Sequence, residues 1–155
     1  MSPKKTIPKQ RAVPAARGEN YTVDTDGFYR HKPAWNFHTC IPTVERWRFD
    51  QDHVGTLLWS EIIPFFVSLE TKTWQEILIT NKKQNHSISV SDLHNEAAKC
   101  LEALQIDTEQ IISLRLNGTH RIYGYIEGHT FCLLWFDLDH GDNDTCVCRS
   151  YLKHT

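Results

Sequence analysis

The apolar positions of this chain change their period partway along it. In GTLLWSEIIPFFVSLETKTWQEILI, residues 55 to 79, Leu58, Ile62, Phe65, Phe66 and Leu69 fall on one stripe of a 3.6-residue repeat, which predicts an amphipathic helix. Pro64 has no amide hydrogen to donate, so it predicts a kink or an irregular early part. Thr73 followed three residues later by Glu76 is a capping-box signature. A second short helix is expected to begin there and to turn Trp74, Ile77 and Leu78 inward. The polar run TNKKQNHS reads as a loop. From Ser91 onward, Leu93, Ala97, Cys100, Leu101 and Leu104 repeat as the single buried face of another helix. After a turn around Asp107 to Gln110 the period drops to two. IISLRL, RIYGYI and TFCLLWFDL read as strands, separated by NGTH and EGH, where Asn117 with Gly118, and Glu127 with Gly128, mark tight turns. Three strands so joined make an antiparallel meander.

The N-terminal third has neither period. MSPKKTIPKQRAVPAARGEN holds three prolines and five cations and lacks the apolar surface that would offset the entropy of ordering, so residues 1–20 are expected to be a disordered basic tail. Residues 21–45 are aromatic-rich and broken by Pro33 and Pro42, which predicts an extended arm packed on the domain. A short strand is expected near Arg46 to Phe49. The remainder, residues 46–155, reads as a single α+β domain with helices on one face of a small antiparallel sheet.

Composition narrows the class. A chain of 155 residues is long enough for one self-sufficient core. Its five cysteines are odd in number and irregularly spaced, which fits reduced thiols and a cytoplasmic setting better than a disulfide framework. No uncharged apolar run reaches the ~18 residues that span a bilayer. The net charge of −2 conceals an asymmetry: all five cations of the tail precede Glu19, and residues 18–155 carry 12 basic against 19 acidic side chains, a net of −7. An acidic body counts against nucleic acid unless its basic residues cluster.

Alternation along RIYGYI places Arg121, Tyr123 and Tyr125 on one face and Ile122, Gly124 and Ile126 on the other. On the preceding strand Ser113 and Arg115 oppose Ile112, Leu114 and Leu116. One sheet face is therefore expected to lie on the helices and the other to present arginine and tyrosine. The bland account pairs Arg115 and Arg121 with Asp137, Asp139 or Glu127 in solvent. The chemical account brings Arg115, Arg121 and His140 together at one end of the meander. A guanidinium pair would then hold a phosphate, and an imidazole would exchange a proton near neutral pH. Such a set can cleave RNA without metal, with no cofactor required.

Metal and thiol chemistry have weaker signatures. An EF-hand numbered from Asp137 in DLDHGDND would need glycine sixth and glutamate twelfth, where this chain has Asp142 and Cys148. Cys146 and Cys148 with His140 and His154 offer only a C-x-C pair for zinc. No base or family signature marks a cysteine nucleophile. His38, His53, His86 and His120 are isolated and read as surface or loop histidines; the tryptophans read as core and docking aromatics.

With these elements in place, LRLNGTHRIYGYIEGHTFCLLWFDLDH resembles the RelE/ParE superfamily of bacterial toxins, in which an L-x-G…R-I strand pair precedes an apolar strand ending in histidine. The resemblance spans about residues 45 to 155. It implies a RelE-like fold and a metal-independent endoribonuclease working through 2′-hydroxyl attack. On that pattern Arg121 contacts the scissile phosphate, His140 is general acid or base, and Arg115 assists. Tyr123 and Tyr125 would bind substrate, with Tyr151, Lys153 or His154 standing in for the family's C-terminal tyrosine. The implied partners are RNA, in a ribosome-associated setting, and a protein antitoxin. This body is longer and more acidic than those toxins. RIYG…LLWFDLDH with the ending SYLKHT also resembles bacterial proteins with RIWG…LWWDPEH…KHT patterns, to which no activity is attached. The alternative is a protein-interaction module of the same fold without catalysis, whose aromatic arm docks on a protein.

Overall fold

The computed structural model describes residues 5–6, 27–37, 47–49, 52–141 and 146–148. Strands β1 (Lys5–Thr6), β2 (Ala34–Asn36), β3 (Asn85–Ser89), β4 (Ile106–Asp107), β5 (Gln110–Asn117), β6 (His120–Glu127) and β7 (Thr130–Asp137) form two sheets. β1 pairs with β4, and a five-stranded sheet runs in the order β2-β7-β6-β5-β3. The fold is α+β, with the expected C-terminal antiparallel meander at its centre.

The meander's turns follow its glycines. Both connections have two residues between paired strand ends, with Gly118 (φ 44°) and Gly128 (φ 69°) in first place. The positive angle rests on glycine alone in each turn, at no Cβ penalty. Gly124 serves a different purpose. Its register with β7 shifts at this point, and a Cβ here would strike the Cys132 carbonyl oxygen and the Phe131 ring. A bare α-carbon lets the Phe131 ring lie across β6.

Two strands of the five-stranded sheet escaped the periodicity. β2 runs parallel to β7, pairing Trp35 with Phe131, so the sheet is mixed. Nearly a hundred residues separate these strands, ample for the crossover that parallel pairing needs. β3 begins in the stretch read as a loop and ends two residues short of Ser91, where the next helix was expected to start. Its sequence NHSIS has only Ile88 as an apolar residue, and its pairing with β5 makes it an edge strand. The helix expected from Ser91 consequently starts later. Val90–Asp92 is a 3₁₀ turn, and the helix proper is Asn95–Ala103, with the His94 ring accepting the Glu96 amide hydrogen at 3.1 Å. Its inward residues Ala97, Cys100 and Leu101 are those the periodicity selects. No strand forms at Trp47–Phe49, where Trp47 instead packs on Trp135 and the His94 ring.

The first helical stretch is irregular ahead of Pro64, as expected. Leu58–Ile62 is π-helical, the Ile62 amide reaching back to the Leu57 carbonyl, and a regular helix follows over Ile63–Leu69 with Pro64 in its first turn. The capping box forms: the Glu76 carboxylate accepts the Thr73 amide hydrogen at 3.1 Å, and the Glu76 amide donates to the Thr73 hydroxyl at 3.4 Å. Trp74, fully buried, then ties three segments together. Its amide donates to the His31 carbonyl and its indole to the His129 carbonyl, both at 2.9 Å, while its ring stacks on Phe28. This is how the described part of the aromatic arm, residues 27–37, comes to pack on the domain.

Of the tail, Lys5 and Thr6 pair in parallel with Ile106 and Asp107; the rest of residues 1–20 lies outside the described residues. Among the described residues no helix is long and apolar enough to cross a membrane.

Candidate functional site

Both faces of the meander are covered, which overturns the expectation of an open tyrosine face. On the Ile122 side, Phe131 meets Trp74 and Trp35, and Phe136 meets Phe49. On the other side, Tyr123 lies opposite Trp135, which packs on Trp47. Segment 146–148 closes this side. Its Val147 amide donates to Asp137, and Cys148 bridges to Leu93. Tyr123 and Tyr125 have no exposed surface, so a substrate-contacting role for their rings does not fit their position. Alternation assigns residues to a face, and whether that face meets solvent depends on segments far away in the chain. Lys153, Tyr151 and His154 lie outside the described residues.

Arg115, Arg121 and Asp137 form one row across three strands, Arg121 opposite Arg115 on one side and opposite Asp137 on the other. Their environments differ sharply. Arg115 is exposed, Arg121 is 7 % exposed and Asp137 is fully buried. Burial lowers the Arg121 pKa, and the neighbouring Arg115 charge lowers it further. Burial pushes the Asp137 carboxyl up to about 6, against the pull of the Val147 and Asp139 amides that donate to its two oxygens, each at 2.8 Å. Desolvation, with Asp137 nearby, also raises the Tyr123 phenol well above its usual range. Ser113 across the strand counters part of that shift, although among the described residues no hydrogen bond of ordinary geometry reaches the phenol oxygen.

Arg121 and His140 come to the same place, the turn between β5 and β6, and both hold its backbone. Arg121 Nη1 donates to the carbonyls of Gly118 at 2.7 Å and His120 at 3.1 Å. The His140 amide donates to the Thr119 carbonyl at 3.1 Å, and the Thr119 hydroxyl donates to the Leu138 carbonyl at 2.7 Å. The His140 side chain itself is nearly enclosed, at 9 % exposure.

On the other side of the turn is a pair that sequence reading passed over. Glu61, in the π-helical segment, brings Oε1 to 2.6 Å from His120 Nδ1, and Asn117 Nδ2 donates to the same oxygen at 2.5 Å. Both members are partly open to solvent, His120 at 25 % and Glu61 at 16 %. Fifty-nine residues separate them, so no local motif announces the contact. The faint sequence signal was a histidine at the first position of a strand beside an Asn-Gly turn.

Among the described residues no three His, Cys, Asp or Glu side chains cluster as a metal site, and Cys100, Cys132, Cys146 and Cys148 are buried. Asp137, the first residue of the loop considered for a cation, has both oxygens engaged by backbone amides. No family model, curated protein or solved structure matches this chain.

Proposed function

We propose that the chain is a RelE-like domain that binds RNA at the β5–β6 end of its sheet and cleaves it without metal, by attack of a 2′-hydroxyl on the adjacent phosphate. The observation that carries this reading is the facing of Arg115 and Arg121 on adjacent strands. Like charges directly opposite destabilise a strand pair, and here one of the two is nearly buried. A phosphate between them removes that repulsion and accepts charge-assisted hydrogen bonds. Arg115 makes the exposed contact, while Arg121 adds its charge from behind and keeps the turn rigid. Exposed Lys82 and Lys83 add positive charge at the same end, because they lead into β3, which starts opposite Leu114. Four cations of an acidic body thus gather at this end of the sheet, beside the carboxylates of Asp137 and Glu61.

The test is cleavage of single-stranded RNA by the purified chain in the presence of a chelator, together with growth arrest on expression. The wild type is expected to leave 2′,3′-cyclic phosphate ends, and Arg115→Ala to lose most of this activity. Absence of both cleavage and arrest would refute the proposal. It would favour the second reading, an interaction module without catalysis, which has its own support in the exposed side chains of Trp59 (76 %) and Val67 (55 %) on one helical stretch.

A further inference from the structure

We infer that His120, rather than His140, is the general base of this site, and that Glu61 is its positioning residue. The inference rests on the ribonuclease reading above. It begins from donor and acceptor chemistry: an ionised carboxylate only accepts hydrogen bonds. Glu61 Oε1 takes one from Asn117 Nδ2, so its 2.6 Å contact with the imidazole requires the ring proton to be on Nδ1. The neutral ring then has its lone pair on Nε2. A base oriented by a third group in this way needs no rearrangement before it accepts a proton.

The support around the ring is as specific as the pair. The His120 ring packs against Phe136 at 6.0 Å between centroids, which limits its rotation. Its own carbonyl is held by Arg121 Nη1, and the preceding residue's carbonyl by the His140 amide. The two residues first assigned to the chemistry therefore fix the backbone that carries His120. On the helical side, the π-helical turn sets Glu61 toward the hairpin, and single π turns inside helices concentrate at functional sites. His120 and Arg121 are the first two residues of β6, so their side chains leave on opposite faces at the rim of the sheet. An RNA strand laid over that rim meets the Arg115 and Arg121 charges on one side and His120 on the other.

In the reaction, His120 Nε2 takes the proton of the 2′-hydroxyl. The 2′-oxygen forms a bond to phosphorus as the bond from phosphorus to the 5′-oxygen breaks. The leaving 5′-oxygen takes a proton from water, and the imidazolium returns its proton to solvent. The products are a 2′,3′-cyclic phosphate and a 5′-hydroxyl end, with no change of oxidation state.

The experiment uses the full chain with a defined single-stranded RNA, and the same RNA bearing a 2′-deoxy group at the cleaved position as control. His120→Ala is expected to lower kcat by about 100-fold or more and to recover part of it in added imidazole. Glu61→Gln, which keeps an acceptor but loses the charge, is expected to lower kcat about tenfold with KM within about twofold, as a positioning role requires. Nitrogen-15 spectra of the wild type are expected to show the His120 proton on Nδ1. A His120→Ala chain that cleaves within about threefold of wild type, or one that loses activity without imidazole rescue, overturns the inference and leaves the ribonuclease reading standing. A wild-type chain inert toward RNA overturns both, and is recognised because the defect precedes any substitution.

Discussion

Asp137 offers the most direct physical test of this arrangement. Its side chain is fully buried at the end of β7, yet its two oxygens accept the amides of Asp139 and Val147 and so tie the strand to segment 146–148. Burial dominates over those amides and raises the carboxyl from 3.8 to about 6. A rise of roughly two pH units, at ~1.4 kcal/mol each, corresponds to about 3 kcal/mol of linkage between folding and protonation. The folded-state value lies above the unfolded one, so the folded state binds the proton more tightly. The stabilisation is complete below about pH 4 and is lost as pH rises through about 6. Asp137→Asn cannot titrate, and comparison with it cancels the other ionisable groups. Urea unfolding of both proteins from pH 4 to 7.5 is expected to show the wild type losing about 3 kcal/mol relative to the variant, most of it between pH 4 and 6.5. A difference that stays flat, or that grows in favour of the wild type as pH rises, would refute the reasoning. It would mean that the two amides balance burial, in the first case, or outweigh it and make the carboxylate the preferred form, in the second.

Two further outcomes concern the frame. Gly124→Ala would place a methyl group against the Cys132 carbonyl and 2.6 Å from the Phe131 ring, and is expected to cost about 3 kcal/mol, read as a lowered melting temperature. Thr73→Ala removes the hydroxyl that accepts the Glu76 amide hydrogen and is expected to cost about 1 kcal/mol in chemical denaturation, with little effect on RNA cleavage.

Much of the architecture was legible because it depends on contacts between residues close in the chain. The capping box at Thr73 and Glu76 spans three residues, the helical stripe around Ala97 and Leu101 repeats within one element, and the glycine turns follow from backbone sterics. The three long strands of the meander have the same local basis. β3 was missed because an edge strand with a single apolar side chain carries almost no period-two signal. The parallel pairing of β2 was missed because partner choice between distant segments leaves no trace in either segment alone.

By itself, the sequence determined the α+β class, the meander, its turns, and which residues share a face of each strand. Those properties arise from side-chain period and backbone conformational preference, both local. Tertiary structure decided what each face meets. The face of Arg121, Tyr123 and Tyr125 became an interior once Trp47 and segment 146–148 packed over it, and desolvation then lowered the Arg121 pKa and raised those of Asp137 and Tyr123. The pairing of Glu61 with His120 was likewise set by helix-to-sheet packing, which brings together groups 59 positions apart. A side chain's chemistry follows its burial and its partners, and both are properties of the folded whole.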